Sequence, residues 1–402
     1  MAPQGAVEEC GYEEIREGAV RLLVPRLSCY QRPDGVYEPA WAPVFYNPRM
    51  AFNRDIAVVF ARAYARLRGL SRLVVVEPLA GTGVRALRYM LEADAWAVIN
   101  DVDPKAVKLI EQNLELNNAR ERTSLHNLDA NELLASMKRR GVKPTIIDLD
   151  PFGSPASFLD AAVKAIRGRG VIAATATDTA PLSGTHPRAL RRRYDVVAAR
   201  TAWEKEQAVR ILAGYIIRRA ASHEYSARVL LAYYADYYVR VYVELVRGAG
   251  KADASLEQLS YGYYCPGCGL TGYMAKPGGR CPLCATPLLA VGPLYSGPLC
   301  DEKLLLAMIE EAEKLRGQLA QGSRVVEFLK RLRQECSITK PYYRVDKLCS
   351  ILRINMPSPR LVAGLLVVKG YKAAPTLFDP RGVKTDAPHW VIVNTILELA
   401  PR

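Results

Sequence analysis

No apolar run in this 402-residue chain reaches the ~18 uncharged positions that a membrane-spanning helix requires. The richest stretch, Val229 to Val246, is broken by Asp236, Arg240 and Glu244, so it reads as buried strands. The N-terminus lacks a basic segment followed by an apolar one, so no export is expected and the expected location is the cytoplasm. Internal repeats and low-complexity tracts are missing too. Acidic residues are in deficit: 41 Asp and Glu stand against 55 Lys and Arg, a net charge of +14. Such a surplus favours a polyanionic partner, nucleic acid above all. Cysteine is too sparse, at nine residues, to build a disulfide framework in a chain this long. Cys10, Cys29, Cys300, Cys336 and Cys349 lie scattered and are expected as small buried side chains.

What is present describes a globular protein: half the residues are hydrophobic and 24% are charged. The length exceeds that of a single core, so two domains are expected. Residues 1 to about 50 read as an irregular leader. Apolar residues then recur at helical spacing from Met50 to Arg68. Short strands and helices alternate through Leu73–Val76, Gly83–Leu91, Ala95–Asn100, Pro104–Asn117, Ser124–Asn127, Asn131–Arg139 and Thr145–Leu149. Helix Ala156–Ile166, strand Gly170–Thr177 and two long strands, Ala227–Leu231 and Tyr237–Leu245, follow, with a turn at Arg247–Lys251. This pattern predicts an α/β fold of βαβ units with a parallel sheet. The catalytic domain is expected to cover 1–258 and a smaller α+β domain 259–402. In the latter, two short helices around Asn355-Met-Pro-Ser358, then a basic loop from Tyr371 to Lys384, suggest a helix-turn-helix with a wing.

Three features carry chemistry. Glu77-Pro-Leu-Ala-Gly81-Thr82-Gly83 follows a predicted strand and opens a helix, so its glycines let backbone and helix N-terminus approach a ligand. Asp101 closes the next strand, where a carboxylate can accept from two ribose hydroxyls. Asp129-Ala130 follows the third strand, where it can meet an adenine. The order of elements resembles the class I S-adenosyl-L-methionine-dependent methyltransferases and their Rossmann-like sheet, although Leu79 stands where that family often has glycine. A nicotinamide enzyme is the competing reading, but its three-glycine fingerprint is absent.

The second feature is Asp150-Pro151-Phe152-Gly153, after the strand ending in Asp148-Leu-Asp150. It resembles the (Asp/Asn)-Pro-Pro-(Tyr/Phe) motif of amino-methyltransferases without the second proline. An exocyclic amine conjugated into a purine is a poor nucleophile. A carboxylate bonded to its N–H localises the lone pair and takes the departing proton, and an aromatic face holds the extruded base. Those roles point to Asp150 and Phe152, with Asp148 expected on the other side of the strand. The third feature is Cys265-Pro-Gly-Cys268 with Cys281-Pro-Leu-Cys284. Four thiolates at this spacing suit a closed, structural Zn2+ site.

Two further blocks narrow the resemblance: Val44-Phe-Tyr-Asn-Pro-Arg-Met-Ala-Phe-Asn-Arg-Asp55 and Thr177-Asp-Thr-Ala-Pro-Leu-Ser-Gly184. Together with Asp148–Pro155 they resemble the tRNA (guanine-26, N2)-dimethyltransferase family in its archaeal form. The resemblance implies S-adenosyl-L-methionine as cofactor and tRNA as partner. It also implies that Arg54 binds the methionine carboxylate, that Arg85 is a second cofactor contact, and that Phe45 pairs with Phe152 around the guanine. Glu77 and Gly81 complete the expected cofactor pocket. Arg188, Arg191, Arg192 and Arg193, with Lys340, Lys369, Lys372 and Lys384, are candidate phosphate contacts. The alternatives are methylation of a protein glutamine or DNA adenine, and a zinc-ribbon RNA-binding protein without catalysis.

Overall fold

In the computed structural model, which describes residues 10–400, the chain forms two compact units. One comprises residues up to 150 with 164–167 and 306–328; the other comprises 151–163, 168–305 and 329 onward.

The first unit opens on a hairpin of β1 (Tyr12–Glu17) and β2 (Val20–Pro25). The expectation of an irregular leader is thereby corrected. Val20, Leu22 and Val24 alternate with more exposed residues at the strand period of two and are fully buried. Gly18, at φ +60°, makes the tight turn. Next come α1 (Ala51–Arg68), β3 (Leu73–Glu77), α2 (Val84–Glu92), β4 (Ala95–Asn100), α3 (Pro104–Leu116), β5 (Thr123–His126), α4 (Ala130–Ser136) and β6 (Ile146–Leu149). Local chemistry sets their ends. Gly69, in the left-handed conformation, stops α1, and Asp103 caps α3 through the Lys105 N–H with Pro104 at the first helical position. β3 pairs in parallel with β4 and β6, and β4 with β5.

The chain continues through α5 (Leu159–Ala165), β7 (Arg169–Ala176), α6 (Thr179–Leu182), α7 (Pro187–Tyr194), α8 (Glu204–Ala221), β8 (Tyr225–Ala235), β9 (Tyr238–Arg247) and α9 (Ala249–Leu256). The turn expected at 247–251 is in fact the entry to α9. Strands β7, β9 and β8 pair antiparallel, and the mixed seven-stranded sheet has the order β5-β4-β3-β6-β7-β9-β8. This is the Rossmann-like arrangement expected of a class I methyltransferase. Helix α8 shows no clean amphipathic period because it is buried on every side from Glu206 to Gly214. Within it Arg210 pairs with Glu206 at 2.8 Å and donates to the carbonyls of Tyr295, Gly297 and Thr339, which neutralises the buried charge.

The smaller α+β part carries β10 (Leu259–Tyr264), β11 (Thr271–Met274) and β12 (Leu289–Tyr295) in an antiparallel sheet of order β11-β10-β12. Then come α10 (Glu302–Leu315), α11 (Gly322–Glu335), β13 (Tyr343–Arg344), α12 (Val345–Leu352), α13 (Pro359–Val368), β14 (Ala373–Pro375), β15 (Gly382–Thr385) and α14 (His389–Leu399). Helices α12 and α13 flank the predicted turn, and the β14–β15 hairpin forms the wing over a core that includes Leu348, Val362, Leu366, Val383 and Ile392.

Four of the cysteines expected as isolated side chains are joined, Cys10 to Cys29 and Cys300 to Cys336. The β1–β2 hairpin brings the first pair to a Cα separation of 6.3 Å from positions 19 apart, which spacing alone does not reveal. No helix among the described residues is long and apolar enough to cross a membrane.

Candidate active site

The loop between β3 and α2 needs two left-handed residues, Gly81 at φ +55° and Gly83 at φ +76°. A Cβ on Gly81 would stand 2.8 Å from the Phe45 carbonyl oxygen, and one on Gly83 would stand 3.1 Å from the Ile110 side chain. Asp101, just past β4, clamps this loop. Its Oδ2 accepts the Gly81 N–H at 2.8 Å and its Oδ1 accepts the Asp103 N–H at 3.0 Å. Burial raises the Asp101 carboxyl above its ordinary value, and these backbone bonds oppose the shift. Each oxygen has a second lone pair with which to accept a hydroxyl. Asn100, which no sequence motif singles out, donates 2.9 Å bonds to the carbonyls of Pro78 and Leu128 and so ties the loops after β3 and β5. Asp129 caps α4 with Oδ1, accepting from Asn131 and Glu132 at 2.8 and 3.2 Å, and Ala130 is buried at the helix start.

Arg85, in the first turn of α2, is buried among three carboxylates. Its Nη2 pairs with Asp150, and its Nε lies 3.6 Å from Glu77 and 3.7 Å from Asp148. Its Nη1 donates to Asn53 Oδ1 at 2.8 Å. One guanidinium does not offset three acids, two of them buried. Burial first, then Asp148 and Asp150 against the pull of Arg85, push the Glu77 carboxyl up to about 8. Glu77 also accepts the Ala86 N–H at 2.9 Å, so it braces the start of α2.

The expected opposition of Asp148 and Asp150 is overturned. Residues two apart on a strand share a face, and both meet Arg85. Accessibility separates them: Asp148 is fully buried and accepts the Tyr89 hydroxyl at 2.7 Å, whereas the Asp150 side chain is 21% exposed.

Arg54, on α1, is bound side-on by Glu17, its Nε and Nη2 donating at 2.6 and 2.5 Å, and Nη2 also reaches the Asn47 carbonyl at 3.0 Å. No sequence motif singles out Glu17, which sits in the stretch expected as a leader, and Asn53 stands out only as part of the block at 44–55. Phe45, Arg54, Glu77, Gly81, Arg85 and Asp150 line one open cleft. Thr82 Oγ1, on the same wall, and Asn53 Nδ2, beside Arg85, are buried without a hydrogen-bond partner among the described residues. Buried polar atoms left unpaired are what a polar ligand satisfies. These residues fit S-adenosyl-L-methionine: a guanidinium for its carboxylate, Asp101 for its diol, and a glycine loop that admits close approach.

In the second unit, Phe152 is 71% exposed, an aromatic ring next in the chain to Asp150 and Pro151. Gly153, at φ +77°, exchanges two bonds with Thr177. Its N–H donates to Thr177 Oγ1 and its carbonyl accepts the Thr177 N–H, both at 2.8 Å. Ser154 donates to the Tyr194 hydroxyl, which donates to Asp178, each at 2.8 Å, and Arg193 also binds Asp178. The block at 177–184 thus braces the turn that carries Phe152.

The four cysteines of the two knuckles gather with all sulfurs within 4.8 Å of one another. In each knuckle the N–H four residues on bonds back to the first cysteine carbonyl, Gly269 to Cys265 at 2.8 Å and Ala285 to Cys281 at 2.9 Å. Gly269 and Ala285 both adopt positive φ. Two matched turns presenting four sulfurs suit tetrahedral Zn2+, whose bonds of about 2.3 Å place the sulfurs some 3.8 Å apart. On α7, Arg188, Arg191, Arg192 and Arg193 are all exposed. Lys384 is removed from the candidate phosphate contacts, because it is buried against Glu206 at 2.9 Å. Lys369 pairs with Glu398.

The family model described as N2,N2-dimethylguanosine tRNA methyltransferase matches residues 21–397. A tRNA (guanine(26)-N(2))-dimethyltransferase of Saccharolobus solfataricus is 36% identical, over 96% of this chain and 99% of the relative. The enzyme of the same name from Pyrococcus horikoshii is 37% identical, over 95% and 97%. A solved structure of Trm1 from Pyrococcus horikoshii with S-adenosyl-L-methionine superposes with a TM-score of 0.83 at 36% identity, covering 96% of this chain and 99% of that one. The loop, the carboxylates at the strand ends and the cysteine knuckles thus stand in a chain that belongs to the N2,N2-dimethylguanosine tRNA methyltransferase family.

Proposed function

We propose that this chain transfers methyl groups from S-adenosyl-L-methionine to N2 of guanine 26 in tRNA, giving N2-methylguanosine and then N2,N2-dimethylguanosine. One observation carries the mechanism: Asp150, the solvent-accessible member of the carboxylates around Arg85, lies on the same cleft as the glycine loop that Asp101 clamps. The cofactor supplies an electrophilic methyl group on a sulfonium. Arg54 binds its carboxylate, Arg85 and Glu77 shape the wall beside it, Gly81 admits it, Asp101 accepts from the ribose, and Asp129 with Ala130 meets the adenine. Phe45 and Phe152 hold the extruded guanine. Asp150 accepts from the N2 amine, and as the C–N bond forms and the S–C bond breaks it takes the proton that the nitrogen sheds. Arg85 orients that carboxylate.

In this reading residues 1–258 form the catalytic domain. Residues 259–402 bind tRNA, with Cys265, Cys268, Cys281 and Cys284 holding a structural zinc. The exposed arginines of α7 contribute phosphate contacts, and the enzyme works in the cytoplasm. Protein glutamine, DNA adenine and a non-catalytic RNA-binding role find no support in the relatives' names.

The test is incubation with unmodified tRNA and methyl-labelled S-adenosyl-L-methionine, followed by nucleoside analysis. Label in N2-methylated guanosine is expected, and its loss when another base occupies position 26. Label elsewhere, or none, overturns the reading.

A further inference from the structure

We infer that Glu17, at the end of β1, is a positioning residue for the cofactor carboxylate, acting through Arg54; the inference rests on the assignment of Arg54 above. Donor accounting carries it. Arg54 has five N–H groups. Nε and one hydrogen of Nη2 are taken by the two oxygens of Glu17, and the second hydrogen of Nη2 by the Asn47 carbonyl. Neither hydrogen of Nη1 has a hydrogen-bond partner among the described residues, on a guanidinium that lies over the Tyr46 ring and lines the cleft. Arg85, the other guanidinium on that wall, is already surrounded by Glu77, Asp148 and Asp150. The guanidinium donor left for an incoming carboxylate is therefore Arg54 Nη1, and its direction is set by the planar fork that Glu17 grips.

Glu17 is itself held tightly. It accepts from Arg54 twice, from Arg88 Nη1 at 3.2 Å and from the Tyr46 hydroxyl at 2.9 Å, which occupies about all the lone pairs of a carboxylate. Burial opposes its ionisation, but Arg54, Arg88 and Tyr46 outweigh that and bring the carboxyl down to about 2, so it stays charged through the working range. The hairpin places it there by close packing. The Ala19 N–H donates to Glu92 at 2.8 Å, and a Cβ on Gly18 would collide with the Glu92 and Arg88 side chains. Arg88 in turn binds Asp55 on α1 at 2.6 Å, which anchors the cluster to the helix that carries Arg54.

The test compares the binding of S-adenosyl-L-homocysteine and of its decarboxylated analogue by calorimetry on the full chain. Glu17→Gln is expected to weaken the first about tenfold, as the loss of one oriented charge-assisted bond does, and to leave the second within about twofold. Equal weakening of both ligands indicates a merely structural role and overturns the inference. So does unchanged binding, or tighter binding of the carboxylate ligand, which would make Glu17 a competitor for Arg54. If Glu17→Gln does not fold, Tyr46→Phe, which removes one bond to Glu17 and keeps the ring, must show the same selectivity at a few-fold level. Arg54→Ala separates the two claims. Selective loss there without selective loss in the Glu17 variant defeats only this inference, whereas non-selective loss in Arg54→Ala defeats the assignment of Arg54.

Discussion

Replacing Gly81 by alanine probes the joint on which the cleft depends. Alanine at φ +55° carries a left-handed penalty of about 1 kcal/mol, part of which the stiffer unfolded chain returns. The new Cβ would stand 2.8 Å from the Phe45 carbonyl oxygen, which is backbone and yields only if the segment around Phe45 and Tyr46 moves. Such overpacking costs about 1–3 kcal/mol. The total, about 2–4 kcal/mol, corresponds to a melting point lower by roughly 5–10 °C. The shift also disturbs the Gly81 N–H bond to Asp101 and the Tyr46 bond to Glu17, so affinity for S-adenosyl-L-homocysteine should fall about tenfold or more. Scanning calorimetry and ligand titration on the same samples check both. A Gly81→Ala protein that melts and binds like the parent refutes the claim that this contact shapes the pocket.

Asp150→Asn keeps the shape but cannot take a proton. Turnover should fall by about 10²–10⁴-fold with cofactor affinity within about threefold, measured by single-turnover methylation; full activity discards the assigned base. Metal analysis should find one zinc per chain, lost in Cys281→Ser together with protection of the β10–β12 amides in hydrogen exchange; zinc-free protein with that protection intact contradicts a structural site. Glu77 has a raised folded-state pKa, so the unfolded chain sheds its proton first as pH rises from about 4.5, and stability from this group is lost progressively up to about 8. Chemical denaturation at pH 5 and pH 8 should show the parent losing stability relative to Glu77→Gln over that window, and parallel curves would argue that Glu77 is already ionised at pH 5.

Much of the cleft is legible before folding because its parts are local. A strand, a glycine turn and a helix start lie within a dozen residues, and carboxylates close successive strands. Asp101 and Asp150 stand where those patterns put them, and the two cysteine knuckles carry their own turn geometry. The hairpin is harder to read, since its alternation is short and its turn carries a single glycine. Helix α8 was harder still, because burial on all sides erases the period that marks a surface helix.

Local pattern therefore determined the run of strands and helices from β3 to β7 and singled out Asp150 and the four cysteines as candidates. The pairing of charges was decided only by tertiary structure. Glu17 meets Arg54 across 37 positions and Arg85 meets Asp150 across 65, because a buried guanidinium takes whichever carboxylate the packed core brings within reach. The same holds for Cys10 with Cys29 and for Lys384, drawn from a basic loop into an ion pair with Glu206. A charge in sequence has only a sign. Its partner is set by the desolvation of the site where the fold leaves it.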